Sequence, residues 1–465
     1  MKFLLLLIFS FMLTGCHGSL QKAKALQEND GETYLYLHAF PQEAARISFE
    51  LQSAAAVNAE GVEIPLTVRL SRLKGEQVNR QRLIASGALP PGKYRGFSFS
   101  VKDALLKGED GEAALLVPEH SSLAEYPFEV KKAKAMLFSV ALKYQESITE
   151  EVRFNPIFSV GLPGRPVPNL TGYVVNRGSN TITVFDKKSH EAMDVIQTGR
   201  GPGAVVLDQR QRRAYVVLSG EDAIDVIDVA LGSAINRIRL HSGDAPRDLA
   251  LTPDGSLLIT ANTGSNTVSL IDPASFIEIA RISLSNRPGS VLIDRLGKKA
   301  YIFNTLSNNI SVLDIANRVI ITTFSTDSTP LRGDFNRKGD KLAVFQEWSP
   351  HLLVVDAVSL ATLKKVYVGI GIGGIKVDTN TDNLYVGRRQ DGMVEIFDPF
   401  SYIPGNYLSA SAGTSYMAID GEENNLYLIH PAKNSLQIFN LVSGSMVGEI
   451  DVDDDPYWVT LMGER

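Results

Sequence analysis

The residues best suited to chemistry are sparse. Beyond His17, the histidines are His38, His120, His190, His241, His351 and His430, and no two stand at a metal-ligand spacing. HExxH, GxSxG and phosphate-loop patterns are absent. No catalytic residue, metal site or cofactor is therefore expected from linear motifs. Aspartates recur at Asp208, Asp294, Asp378 and Asp420, with Asn336 at the equivalent place. They could form an acidic ring, but each lies where an extended run enters a turn. Asp and Asn there bond local backbone amides, so they read as turn-formers. Glycine-rich Gly369–Gly374 is not a dinucleotide fingerprint, because no helix follows it.

One cysteine does point to chemistry. Lys2 and the apolar run Phe3–Leu13 precede Leu13-Thr14-Gly15-Cys16, and Cys16 is the only cysteine in the chain. These eleven residues, apolar apart from Ser10, are too few to span a bilayer but suit an export signal. The motif resembles the bacterial lipobox, which implies a signal over 1–15 and acylation of Cys16. Acyl chains hold a protein to a membrane without spanning it. A lone cysteine excludes disulfides and CxxCH haem attachment. His17 stands where inner-membrane retention typically has aspartate, so an outer-membrane destination, periplasmic or surface-facing, is the expectation. Residues 16–31 read as a tether. A net charge of −6 without basic runs excludes nucleic acid as a partner.

From Tyr173 onward the chain repeats itself. Apolar-Asp pairs recur at Phe185-Asp186, Ile227-Asp228, Ile271-Asp272, Leu313-Asp314, Val355-Asp356, Phe397-Asp398 and Phe439-Asn440, at spacings of 42 residues with one of 44. Tyr173, Tyr215, Ile259, Tyr301, Ala343, Tyr385 and Tyr427 give the same register. Each repeat holds four strand-sized runs separated by turns such as Pro253-Asp254-Gly255 and Lys338-Gly339-Asp340. Four short strands per repeat and seven repeats predict a seven-bladed β-propeller over 171–465. The first repeat lacks its innermost strand, and Pro456–Leu461 is the run left to supply it. Tyr173-Val174-Val175-Asn176, Thr252-Pro253-Asp254-Gly255 and Asn262–Val268 resemble the YVTN repeat family. These are propellers of bacterial and archaeal surface and periplasmic proteins, akin to that of cytochrome-type nitrite reductases. The resemblance implies the fold and hardly anything about function.

Residues 32–157 carry strand-like alternation without a period, as at Thr33–Ala39, Ala45–Leu51, Ile64–Leu70, Tyr94–Val101 and Ala135–Leu142. An all-β chain is thus expected, with a β-sandwich, immunoglobulin-like or prealbumin-like, before the propeller. The turn Leu89-Pro90-Pro91-Gly92-Lys93-Tyr94 makes it resemble an uncharacterised family of bacterial lipoprotein domains. Residues 158–170, with Pro163, Pro166 and Pro168, read as a semi-rigid linker.

Departures from the repeat mark candidate sites, because function tends to break local rules. In this topology the loops from strand two to three and from four to the next strand one share a face. Asn176, Asn262 and Asn304 end regular second strands, where other repeats have Gln346-Glu347-Trp348, Arg388-Arg389 and His430. Tyr416, Tyr457 and Trp458 bring aromatics to the channel mouth. A two-residue insertion lies beside His241, Asp244 and Arg247, and Arg332 occupies the corresponding inner position. The candidate binding face is therefore Trp348, His351, Arg388, Arg389, Tyr416, His430, Trp458, Arg247 and Arg332. A membrane-anchored binding or scaffold module for a protein, glycan or envelope component is the leading expectation. A lactonase-like hydrolase is the alternative, requiring carboxylates and a histidine converging in the channel. A haem-binding or electron-transfer accessory is a second, with His241, His351 or His430 as axial ligand and Arg247 and Arg332 nearby.

Overall fold

The computed structural model describes residues 29–109, 111–150, 152–284 and 287–464. The apolar leader, Cys16 and the tether up to residue 28 lie outside them. No helix among the described residues is long and apolar enough to cross a membrane.

Seven four-stranded antiparallel sheets make the propeller. The second blade is representative: Pro202–Asp208, Arg213–Leu218, Ala223–Asp228 and Ser233–Arg239 pair in chain order. Second and third strands are covered by neighbouring blades on both sides, which is why Tyr215–Leu218 and Val226–Ile227 are apolar at successive positions and buried. Fourth strands alternate or are exposed, as with Ile277 and Val319. The recurring tyrosines Tyr173, Tyr215, Tyr301 and Tyr427 are fully buried between blades. Turn chemistry follows the sequence pattern. Asn180, Asn266, Asn308 and Asn434 adopt left-handed φ of 59°, 57°, 49° and 50° between strands two and three, a conformation that favours Asn. Asp186, Asp228, Asp356 and Asp398 each accept two backbone amides of the following turn through Oδ1.

Thr171–Asn176 pairs on one side with Thr181–Asp186 and on the other with Pro456–Leu461, so the C-terminal strand is innermost in the first blade. Beside this seam Lys187 Nζ lies 2.9 Å from Asp420 of the seventh blade, both side chains fully buried, and donates to the Met462 carbonyl at 2.7 Å.

The N-terminal domain is sandwich-like but is one curled sheet of ten strands rather than two separate sheets. Its order is Phe158–Gly161, Ala135–Leu142, Gly31–Leu37, Arg82–Leu89, Glu63–Val68, Ile47–Asn58, Gly92–Lys107, Glu112–Leu115, with Arg72–Lys74 paired to Ile47–Asn58 and Ser122–Val130 to Gly92–Lys107 off this path. Glu63–Val68 joins the halves by pairing with Ile47–Asn58 along one stretch and with Arg82–Leu89 along another. Curling brings Phe97 against Phe138, 5.0 Å between ring centres, over a shared apolar core. The Tyr94 hydroxyl donates to the Pro90 carbonyl at 2.8 Å and closes the Leu89–Tyr94 turn. The linker expected over 158–170 is shorter, because Phe158–Gly161 bonds to Ala135–Leu142 as an edge strand.

The two domains are packed together at the seam. Tyr34, Tyr36, Leu83 and Leu137 share one buried cluster with Phe185, Ala192, Val195, Ile450 and Val452. Tyr34 donates to Asp453 at 2.7 Å, and Arg69 bonds Asp453 at 3.0 Å and Asp454 at 2.8 Å. Asp451 takes Arg80 at 2.7 Å, Arg82 at 2.8 Å and the Leu83 amide at 3.1 Å. Gln81 bonds both polar backbone atoms of Ala192. The N-terminal domain thus grips the loop that leads into the closing strand.

Candidate functional site

The inner strands enclose a cavity of about 530 Å³ along the propeller axis, within the size range of small-molecule sites. Five of the nine residues expected at a binding face line it: Arg247, Arg332, Arg389, Tyr416 and Trp458. Arg247, Arg332, Tyr416 and Trp458 come from different blades because each inner strand begins at this end and presents its first residues there, and Arg389 reaches it from the loop after the second strand Leu384–Arg388. In regular blades these positions hold Gly203, Ala204, Gly289 and Ser290, whereas here large side chains fill the mouth.

Trp458 stacks on Tyr416, ring centres 4.1 Å apart, and the Arg332 guanidinium lies 4.0 Å from the Trp458 centre and 5.0 Å from that of Tyr416. Tyr457 completes the group. Arg177 sits 4.4 Å over its ring, and Arg247 Nε donates to its hydroxyl at 3.4 Å. Burial acts to raise the Tyr457 pKa, but the charges of Arg332, Arg247 and Arg177 outweigh it and hold the phenol below its ordinary value. Burial dominates at Tyr416, which is pushed well up.

The arginines differ in how their charge is met. Arg177 pairs with Asp455 at 2.9 Å and Arg389 with Glu347 at 3.5 Å. Neither Arg247 nor Arg332 forms an ion pair among the described residues, and Arg332 Nη1 is buried without a hydrogen-bond acceptor. Leaving a buried donor unmet costs about 1–3 kcal/mol, more when it is charged. Asp248, which lines the same mouth, is already engaged: its oxygens accept the Leu249 amide at 2.8 Å, the Val291 amide at 3.2 Å and the Ser290 hydroxyl.

Deeper in the channel, Lys376 lies 3.7 Å from Asp334 and 3.6 Å from Glu464. Asp334 also accepts the Phe335 and Val377 amides, and Glu464 accepts the Thr460 hydroxyl. No cluster of three metal-ligating side chains occurs among the described residues. The carboxylates that converge here are bonded to the strands themselves, and no histidine among the described residues lines the cavity. The hydrolase reading therefore lacks its convergent histidine and free carboxylates.

Four expected residues lie elsewhere. Trp348 is 73% exposed on its loop. His351 packs edge-on against Tyr367 at 5.7 Å. Arg388 is held within its own blade by Glu395 at 2.6 Å and Asp391 at 3.3 Å. His430 is fully buried, neither ring nitrogen makes a hydrogen bond of ordinary geometry, and burial pushes its pKa down to about 4. It replaces an asparagine with a structural task, since Asn176 Nδ2 bridges Thr181 and Thr183 and Asn262 Nδ2 bridges Thr267 and Ser269. His241 is exposed, 3.6 Å from Glu278. None of the three histidines offered as an axial ligand faces the channel.

Sequence reasoning missed Arg177, Asp248, Asp334, Lys376 and Glu464. A signal existed for some of them. Lys376 and Asp334 occupy a repeat position that is otherwise Val206, Ala250, Leu292, Ala418 or Thr460, and Arg177 shares its loop position with Arg389. A second cavity, about 870 Å³, follows the domain seam, but its arginines Arg80 and Arg82 are already paired with Glu449 and Asp451.

No curated protein matches the chain. Similar solved structures share the fold at low identity. Kuenenia stuttgartiensis hydrazine synthase is 18% identical with a TM-score of 0.54, over 60% of this chain and 96% of that one. Dihydro-heme d1 dehydrogenase NirN, in complex with DHE, is 12% identical with a TM-score of 0.52, over 65% and 78%. A functionally unknown protein from Desulfotomaculum acetoxidans DSM 771 is 16% identical with a TM-score of 0.55, over 62% and 98%. With seven sheets in a ring and Tyr173-type repeats between them, the chain matches over residues 167–381 the family model described as the YNCE-like β-propeller.

Proposed function

We propose that the protein is an exported, lipid-anchored binding module that receives its ligand, or one group of a protein or glycan partner, in the mouth of the propeller channel. The observation that supports this is the gathering of Arg247, Arg332, Tyr416, Tyr457 and Trp458 around the cavity, on inner strands where other repeats place small residues, with Arg389 added from a loop. Arg, Tyr and Trp are the residue types that dominate binding energy at interfaces. Among the described residues the channel shows no paired nucleophile and base, which favours binding without turnover as the simpler use of the site.

The anchor is acylated Cys16, and the molecule sits in the cell envelope, at the outer membrane where there is one. Cys16→Ser is expected to move the protein from the membrane to the soluble fraction and to abolish incorporation of labelled palmitate. Retention with full labelling would refute the anchor. For the site, native mass spectrometry of protein purified from its own envelope is expected to find an adduct on wild type that is absent from Arg332→Glu. Equal adduct, or none on either, would refute the channel as the binding place.

A further inference from the structure

The charges at the channel mouth define the ligand more narrowly. Two guanidinium groups, on Arg247 and Arg332, face one chamber without an ion pair among the described residues, and the carboxylate of Asp248 at the same mouth is tied to Ser290 and two backbone amides. Arg177 and Arg389 are neutralised by Asp455 and Glu347. At the mouth the two arginines outnumber Asp248 by one, while deeper in the same cavity the single cation Lys376 faces both Asp334 and Glu464. A monoanion suits that local excess, and the two carboxylates below it disfavour a second negative charge. Arg332 Nη1 lacks an acceptor, and the Arg247 fork has only the Tyr457 hydroxyl, at 3.4 Å. Guanidinium forks of this kind are complementary to the two oxygens of a carboxylate. The walls beside them are apolar or aromatic: Leu331, Phe345, Tyr416 and Trp458.

We infer that the chamber takes a small organic monocarboxylate, its carboxylate between Arg247 and Arg332 and its apolar body against Tyr416, Trp458 and Phe345. This rests on the channel mouth being the binding place. The Tyr457 hydroxyl is placed to donate to the same carboxylate when protonated.

The test uses the full chain and three probes of one shape: cyclohexanecarboxylate, cyclohexylmethanol and cyclohexylmethylammonium, by titration calorimetry at neutral pH. The carboxylate is expected to bind, with the alcohol at least tenfold weaker and the ammonium giving no heat. Arg247→Gln and Arg332→Gln should each weaken carboxylate binding at least tenfold, and Arg332→Lys less than Arg332→Gln. Should a glutamine variant fail to fold, wild type provides a second reading. A bound anion disfavours phenolate, so saturating carboxylate should move the Tyr457 ultraviolet titration, identified by its loss in Tyr457→Phe, to higher pH. Alcohol or ammonium binding as tightly as the carboxylate would overturn the inference and leave the channel as the binding place. Silence from all three probes would also overturn it, and the native mass measurement would then decide the channel reading by itself.

Discussion

Lys187→Met should destabilise the propeller far more than a surface charge change. Lys187 and Asp420 are both fully buried, 2.9 Å apart, and join the seventh blade to the part of the first blade that is held to the closing strand Pro456–Leu461 by strand pairing alone. Removing one partner strands the Asp420 carboxylate in an apolar seam, which costs about 3–5 kcal/mol. The lost donor to the Met462 carbonyl adds about 1 kcal/mol. Against a total stability of about 5–15 kcal/mol, that is a large fraction. Urea unfolding followed by tryptophan fluorescence should show a lower midpoint at unchanged slope, since the surface exposed on unfolding is the same. The double variant Lys187→Met/Asp420→Leu should recover most of the loss, because two apolar groups of similar volume leave no charge unmet. A cost below about 1 kcal/mol for Lys187→Met, or a double variant no better than the single, would refute the view that the pair fastens the seam.

Asp451→Ala removes the acceptor shared by Arg80, Arg82 and the Leu83 amide, and should expose the domain junction near residue 83 to limited proteolysis while leaving the propeller repeats protected. Protection identical to wild type would count against the grip described for this loop. His430 titrates at about 4 when folded against an ordinary 6.5. The unfolded chain therefore binds the extra proton first, and stability should fall by about 3 kcal/mol as pH drops from about 6.5 to about 4. His430→Gln should flatten that part of the pH–stability curve, and an unchanged curve would refute the assignment. Asp194 works in the opposite sense: burial raises it to about 6, so Asp194→Asn should stabilise most above that pH and least near pH 4.

The ring was legible because blade geometry repeats, and every repeat needs the same turn and core residues. Phe185-Asp186 and its equivalents mark one strand end, and Tyr173 and its equivalents one inter-blade position, so the period shows in a single chain. The domain grip left no such trace. Tyr34 and Asp453 are 419 positions apart, and nothing local distinguishes Arg69 or Arg80 from surface arginines. The site was half legible. Tyr416, Trp458 and Arg332 stand out since large residues replace small ones on inner strands. Trp348 and His430 break the repeat as clearly, yet one loop points to solvent and the other side chain fills a buried asparagine's place. Departure from a repeat identifies a position but not its direction. Lys187 illustrates an overlooked departure: the residue after the strand-ending Asp is elsewhere Val229, Pro273, Ile315, Ala357, Pro399 or Leu441, and only here a cation.

Pro456–Leu461 serves two purposes at once, for it completes the first blade and carries Tyr457 and Trp458 into the chamber. Occupancy and ring integrity are therefore thermodynamically linked. A molecule seated against those rings binds only the closed propeller, and at a hundredfold excess over its Kd it adds about 2.7 kcal/mol to the cost of opening. Conversely, tension or heat that peels this strand away dismantles one wall of the chamber in the same event, so release needs no separate gate.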